Sequence, residues 1–244
     1  MIFFTRLPWW RLFNPPQSAY ADVVVFWPMV GWLTGGVTAL AMFGLSFILP
    51  WPVAVVLAIM LRLLLTGALH EDGLADFCDA FGCGGDRTRM LAIMKDSHIG
   101  TYGVIGLIAY YLIVVGVLTS IPVWIGACAF VAADAFGKLC AAQLINFLPY
   151  ARPEGAKNKI SYKPMSVGRW LLCFFFGVIP LGVSVSFIGL PLLWACVPPV
   201  VAMFWLVWLM KRRIGGYTGD CCGAADTICE LSFLIGASVV FYYG

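Results

Sequence analysis

The chain has 244 residues, of which 62% are hydrophobic and 11% are charged, and its mean hydropathy is +0.94. Soluble domains are about 45–50% apolar and about 25% charged, so the composition excludes an ordinary soluble protein and predicts an all-α polytopic membrane protein. The net charge of +3 comes without a basic or aromatic recognition module, so no nucleic-acid partner is expected. The nine cysteines form no CxxC pair, which argues against a disulfide framework and a zinc site.

Several apolar segments are each close to the ~20 residues that cross a bilayer core of ~30 Å. They lie at about 22–49, 51–69, 101–120, 121–146, 169–189, 191–210 and 226–243. The last segment is the least distinct, so six to seven transmembrane helices are expected. Residues 1–244 should form a single integral membrane domain.

The basic residues predict which side of the membrane each connection faces. Thirteen of the fifteen Lys and Arg lie in the N-terminal segment, in residues 87–95, in the 147–169 loop and in residues 211–213. Seven spans would place all four regions on one side, which the positive-inside rule makes cytoplasmic, with the N-terminus inside. The N-terminal segment, residues 1–21, lacks a signal-peptide pattern and is expected to lie in the membrane interface.

An acidic stretch lies between the second and third spans. Residues 70–103 contain six of the chain's twelve acidic residues and both of its histidines. If residues 71–80 are helical, Asp72, Asp76 and Asp79 lie at i, i+4 and i+7, on one helix face. Stacked carboxylates repel unless a cation lies between them, and their oxygens favour Mg²⁺, Mn²⁺ or Ca²⁺ over zinc. The spacing therefore predicts a metal site; the alternative is a solvated charged loop.

Asp96 could complete this site from a second helix. It follows RMLAIMK, beyond a glycine-rich turn, so residues 70–100 would form a helical hairpin with acids on its inner faces. Such a hairpin would hold one metal ion, or a pair roughly 3.5–4 Å apart of the kind that clamps a transferring phosphoryl group. We therefore expect metal-assisted phosphoryl chemistry at the cytoplasmic face.

Charged residues also occur inside the predicted spans. Arg62 would either reach toward the acidic hairpin or hold a neighbouring helix. Asp134 and Lys138 stand at i and i+4, a spacing that permits an ion pair within the helix. Intramembrane charges are functional candidates, although a self-neutralised pair can be purely structural. We expect Lys138 to reach substrate phosphate and Asp134 to orient it.

Two further polar connections could contact a substrate. The 147–169 loop carries five basic residues, Arg152, Lys157, Lys159, Lys163 and Arg169. They could bind anionic lipid headgroups or form a mouth for a phosphate or pyrophosphate substrate. In the glycine-rich loop 211–225, Thr218 and Asp220 precede the last span. There the backbone could approach a ligand closely, or Asp220 could cap the helix; the two readings are compatible.

Five motifs in chain order resemble the cobalamin synthase family, the adenosylcobinamide-GDP ribazoletransferases. They are TRLP at 5–8, HEDGLADFCDAF at 70–81, MKDSHIGTYG at 94–103, YARPEG at 150–155 and GGYTGDCCGA at 215–224. Five motifs along the whole chain are more specific than one short pattern. The resemblance implies a Mg²⁺-dependent enzyme of the bacterial inner membrane. It would join adenosylcobinamide-GDP to α-ribazole or its 5′-phosphate, releasing GMP and forming adenosylcobalamin or its phosphate.

The resemblance, together with a distant similarity to the CDP-alcohol phosphotransferase motif, also implies roles for particular residues. The metal ligands would be Asp72, Asp76, Asp79 and Asp96. The catalytic residues would be Asp79, Lys95 and Asp96, with Asp96 as the base. The substrate-binding residues would be Arg6, His70, His98, Lys138, Arg152, Thr218 and Asp220.

Two alternatives to this function remain open from the sequence. A CDP-alcohol phosphatidyltransferase would make phospholipid with the same metal chemistry. A transporter would use Arg62, Asp134 and Lys138, but it would be expected to contain inverted repeats and broken helices, and no convincing repeat is visible. Membrane lipid is an expected partner. The acceptor, the lower-ligand base and the oligomeric state, including a homo-oligomer, are left open.

Overall fold

A computed structural model of the chain describes residues 4–13, 17–152 and 164–243. Their α-helices are α1 (Trp27–Leu45), α2 (Trp51–Thr66), α3 (Leu69–Cys83), α4 (Arg87–Ile93), α5 (Thr101–Thr119), α6 (Val123–Ala142), α7 (Leu144–Phe147), α8 (Val167–Ile188), α9 (Val197–Ile214) and α10 (Gly219–Tyr243). Shorter 3-10 helices occupy Trp9–Arg11, Gln17–Phe26 and Leu190–Cys196. Among the described residues the only β-pairing is an isolated parallel bridge between Tyr150 and Tyr217.

Six helical segments are long and apolar enough to cross a membrane. They are Asp22–Leu45, Thr101–Thr119, Val123–Phe147, Val167–Ile188, Leu190–Ile214 and Gly219–Tyr243. Helices α2 and α3 are long and apolar enough to cross a membrane only when taken together. They form a pair bent by 92°, which would make a seventh span. The predicted all-α polytopic class with six to seven spans is therefore confirmed.

The bend between α2 and α3 has a local cause. Gly67 and Ala68 both adopt left-handed backbone conformations, with φ of 71° and 57°, and such residues cannot continue a right-handed helix. Helix α2 therefore stops at Thr66, and the chain turns before α3 begins at Leu69. Helix α3, which carries the acidic residues, is not one of the six spans.

Helix α6 forms the centre of the bundle and is buried along nearly its whole length. It packs against α1, α8 and α10, and its many Ala and Gly residues allow the close backbone approach that holds helices together in a membrane. A Cβ atom on Gly137, for example, would lie 3.0 Å from the backbone nitrogen of Glu230 in α10. Helices α5, α8 and α9 instead expose much of their apolar surface, as expected for helices that face lipid.

The last connection is shorter than predicted. Helix α9 includes the basic residues 211–213 in its final turn, where cations interact favourably with the helix dipole. Helix α10 begins at Gly219, and the backbone nitrogen of Cys221 donates to the hydroxyl of Thr218 at 3.2 Å, which caps the helix. Only residues 215–218 therefore separate the two helices, instead of residues 211–225.

The acidic hairpin also differs from the prediction. Helix α4 follows α3, and Asp86 caps it by accepting from the backbone nitrogen of Arg89 at 2.8 Å. The helix ends at Ile93, so Asp96 lies in the turn beyond it and not on a helix that faces α3. Asp and Ser side chains that bond the nearby backbone favour such turns over a helix.

Candidate active site

Two connections that are distant in sequence meet beside the start of α10. Tyr150 and Tyr217 pair in the isolated bridge, and the backbone nitrogen of Ala151 donates to the carbonyl oxygen of Tyr217 at 2.8 Å. This pairing brings the following residue, Arg152, to Asp220, and Nη2 of Arg152 donates to Oδ2 of Asp220 at 2.7 Å. The YARPEG and GGYTGD motifs therefore join at an arginine–carboxylate pair.

Helix α3 crosses α10 at two glycines. A Cβ atom on Gly73 would lie 2.8 Å from the carbonyl oxygen of Asp220, and one on Gly223 would lie 3.3 Å from Cα of Gly73. Because the backbones are so close, the acidic face of α3, with Asp72 and Asp76, lies next to the N-terminus of α10.

Asp76 experiences the combined charge of this region. Burial first, and then the carboxylates of Asp220, Asp72 and Asp79, raise the pKa of Asp76 to about 7, and Arg152 offsets the effect in part. A carboxylate next to like charges favours protonation unless a cation is present. The acidic face therefore carries more negative charge than Arg152 compensates.

The carboxylates of the acidic face do not form a closed metal cage. Within residues 4–13, 17–152 and 164–243, no three His, Cys, Asp or Glu side chains converge as ligands for a metal ion. Mg²⁺ does not need such a cage, because it usually binds one or two carboxylates together with substrate phosphates and water. Asp72 and Asp76 on α3, with Asp220 beside them, fit an ion that is shared with a substrate.

Asp79 makes a different set of contacts from its two neighbours on the helix face. Its Oδ2 accepts from the backbone nitrogen of Gly100 at 2.7 Å, and its Oδ1 accepts from that of Gly103 at 2.8 Å. These amides open α5, where a negative charge is favoured by the helix dipole. The buried carboxylate thus ties α3 to α5.

The tie between α3 and α5 leaves no room for a larger residue at position 103. A Cβ atom on Gly103 would lie 2.5 Å from Oδ2 of Asp79 and 3.0 Å from the carbonyl oxygen of Ala75. We expect Gly103→Ala to lower the free energy of unfolding by about 1–3 kcal/mol. The loss should appear as a lower thermal unfolding midpoint in detergent. The matched control is Gly116→Ala in the same helix, where the added Cβ meets nothing within 4 Å. Equal midpoints for the two variants would contradict the tie.

Lys95, Asp96 and His98 lie on an exposed turn. The backbone nitrogen of His98 donates to Oδ1 of Asp96 at 3.0 Å, and its ring Nδ1 lies 2.7 Å from the same oxygen. These contacts lower the pKa of Asp96. The turn adjoins the arginine–carboxylate pair, since the carbonyl oxygen of Met94 lies 3.5 Å from Nη2 of Arg152.

His70 and Lys138 are buried away from solvent. The ammonium of Lys138 pairs with Asp134, as its spacing predicted, and lies 3.0 Å from Oδ2 of Asp226. Nδ1 of His70 lies 3.4 Å from the same oxygen of Asp226. A substrate phosphate could reach either residue only if the helices moved.

A second charged pair joins this buried cluster. Arg62 donates two hydrogen bonds to the carboxylate of Glu230, at 2.8 and 2.6 Å, and the hydroxyl of Tyr110 donates to Glu230 at 3.0 Å. Arg62 also lies 3.7 Å from Asp134. The pairing of Arg62 with Glu230 was not predicted from the sequence. The signal was present, because a charge inside a span needs a partner and Glu230 lies in the last span.

The remaining predicted residues divide into those near the acidic face and those away from it. Thr218 is buried, and its hydroxyl lies 3.2 Å from Oδ2 of Asp220. Arg6 lies at the α2–α3 bend, where its backbone nitrogen donates to the carbonyl oxygen of Leu65 at 2.8 Å. Lys157, Lys159 and Lys163 of the predicted basic mouth lie outside the described residues.

Comparison with known proteins identifies the family. Residues 1–238 match the family model of CobS, cobalamin-5-phosphate synthase. The chain belongs to the CobS family. Four of the five motifs that carry the resemblance to this family thus meet at one place in the fold, through Asp76, Met94, Arg152 and Asp220.

Relatives of this CobS family member are named adenosylcobinamide-GDP ribazoletransferase. The one from Leptospira interrogans is 34% identical over 98% of this chain and 92% of its own length. The one from Azorhizobium caulinodans is 36% identical over 93% of this chain and 87% of its own length. The one from Clostridium botulinum strain Langeland is 34% identical over 96% of this chain and 93% of its own length. No solved structure matches the chain.

Proposed function

We propose that the chain is an adenosylcobinamide-GDP ribazoletransferase of cobalamin biosynthesis. It joins adenosylcobinamide-GDP to α-ribazole or α-ribazole 5′-phosphate, releasing GMP and forming adenosylcobalamin or its phosphate. The observation that carries the proposal is the meeting of Asp76 and Asp220 with Arg152. A pyrophosphate substrate needs carboxylates that hold its counter-cation and a positive group that contacts its oxygens.

In the proposed reaction, a hydroxyl oxygen of α-ribazole bonds to the phosphorus attached to cobinamide. The bond from that phosphorus to the bridging oxygen breaks, and GMP leaves. Asp96 accepts the hydroxyl proton; its contacts with the backbone nitrogen and ring of His98 hold the carboxylate in place on the turn. Arg152 and Lys95 offset the negative charge on the phosphoryl oxygens.

We propose that Asp72 and Asp76 would hold Mg²⁺ together with the phosphate oxygens of the substrate, with Asp220 beside them. When bound, the ion supplies positive charge that neutralises the pyrophosphate and the departing phosphate. The raised pKa of Asp76 supports this assignment, because burial and the carboxylates of Asp220 and Asp72 disfavour its negative charge unless a cation is present. Of the other two predicted ligands, Asp79 already accepts from two backbone amides and Asp96 lies on the exposed turn.

We propose that the protein lies in the bacterial inner membrane, with its N-terminus and active site in the cytoplasm. The basic residues support this orientation, since they cluster in the connections that contain Arg152 and Lys95 and at the end of α9. The opposite turns, near residues 49–51, 120–122 and 189–191, carry no charge. Basic connections stay on the cytoplasmic side.

The proposed function predicts metal-dependent release of GMP. The purified protein in nanodiscs, given adenosylcobinamide-GDP, α-ribazole 5′-phosphate and Mg²⁺, should form GMP and a cobalamin product in equal amounts. EDTA should abolish the reaction, and excess Mg²⁺ should restore it. As a substrate control, a CDP-lipid with an alcohol acceptor should release no CMP. Release of CMP without GMP would instead indicate a phospholipid synthase, and turnover that resists EDTA would contradict the role of Mg²⁺.

A further inference from the structure

A groove with a volume of about 400 Å³ lies between α5 and α9. Its floor is formed by α3, through residues that include Cys78 and Phe81. At 3.6 residues per turn, these two positions lie on the side of α3 opposite Asp72 and Asp76. The groove is therefore separate from the acidic face to which the proposed reaction is assigned.

The walls of the groove belong to the lipid-facing surfaces of two spans. Ile105 of α5 is 56% exposed, and Trp205 of α9 is 50% exposed. Both side chains line the groove, together with the ring of Tyr102. In a bilayer the groove therefore opens sideways to acyl chains, and its apolar lining suits one.

Arg213 lines the same groove, and within residues 4–13, 17–152 and 164–243 its guanidinium forms no salt bridge. Its polar contact is a long one, from Nη2 to the sulfur of Met90 at 3.9 Å. An exposed guanidinium at the end of a membrane span attracts anionic headgroups, and its planar donors match the oxygens of a phosphate. The neighbouring Arg212, by contrast, lies 5.4 Å from the ring centre of Trp208 and has that aromatic contact.

We propose that this groove is a binding site for an anionic phospholipid. The lipid phosphate pairs with Arg213, and one acyl chain lies along Tyr102, Ile105 and Trp205. Charge complementarity selects the ligand, because a basic residue at the head of an apolar groove between spans favours an anionic headgroup over a zwitterionic one. The bound lipid fills the space behind α3, so it supports the helix that carries Asp72 and Asp76 from the side opposite to them.

The site can be tested by native mass spectrometry of the full-length protein in detergent, with added phosphatidylglycerol or phosphatidylcholine. The wild-type protein should retain phosphatidylglycerol in preference to phosphatidylcholine. Arg213→Gln should reduce that preference about tenfold, since a hydrogen bond to a charged group is lost. The matched control, Arg212→Gln, removes an adjacent charge and should keep the preference. Ile105→Trp, which fills the groove, should reduce retention of both lipids.

Three results would overturn the proposal. The first is equal retention of phosphatidylglycerol by the Arg213→Gln and Arg212→Gln proteins. The second is unchanged retention after Ile105→Trp. The third is displacement of phosphatidylglycerol by α-ribazole 5′-phosphate, which would assign the groove to a substrate. Arg213→Lys, which keeps the charge, should retain more phosphatidylglycerol than Arg213→Gln, and a matching unfolding midpoint shows that both variants fold.

Discussion

Asp76→Asn is expected to lower the rate of GMP release by about 10²–10³-fold, the size of effect seen when a group that stabilises transition-state charge is removed. Burial first, and then the neighbouring carboxylates of Asp220, Asp72 and Asp79, raise the pKa of Asp76 to about 7. The substitution keeps the shape of the side chain and removes the charge that would hold a cation beside the substrate phosphates. The rate should therefore fall although the fold is kept.

The direction of the stability change separates this outcome from misfolding. A carboxyl group whose pKa is raised in the folded state destabilises the fold as the pH rises above the unfolded value of about 4. Asp76→Asn removes that destabilisation, so its unfolding midpoint at pH 8 in EDTA should equal or exceed that of the wild-type protein. The control is Asp22→Asn, because Asp22 lies in a surface ion pair with Arg169 at 2.8 Å and should keep full activity. A variant that is inactive and also less stable would contradict the assignment.

The transmembrane part of the fold could be predicted from the sequence because the bilayer fixes the length of a span. Six of the predicted apolar segments correspond to the six spans. The direction of α3 could not be predicted, since the 92° bend depends on the conformations of Gly67 and Ala68. A hydropathy pattern carries no information on those two residues.

The candidate site was predictable in part. The i, i+4 and i+7 spacing placed Asp72, Asp76 and Asp79 on one helix, which the structure shows as α3. Spacing cannot show that Asp79 faces the first amides of α5, because that contact depends on where a later helix begins. Likewise, the pairing of Arg152 with Asp220 depends on a bridge between two distant connections.

Arg62→Met should destabilise the protein by about 3–5 kcal/mol, because it leaves a buried carboxylate without its cation. Arg62 is 2% exposed and bonds both oxygens of Glu230, which is fully buried. The unfolding free energy can be measured in mixed micelles of increasing SDS content. Arg212→Met, which removes a charge at the exposed end of α9, should change it by less than about 0.5 kcal/mol.

The double variant Arg62→Met with Glu230→Met tests whether the loss comes from the unpaired charge. A buried ion pair replaced by apolar residues of similar volume is often neutral, so the double variant should recover most of the stability lost in Arg62→Met. Equal losses in the single and double variants would show that Arg62 acts through packing alone.

Arg62→Met should also loosen the α2–α3 bend, because Arg62 joins α2 to α10 and His70 of α3 lies against Asp226 of α10. The rate of GMP release should fall with it, since α3 and α10 together carry Asp76 and Asp220.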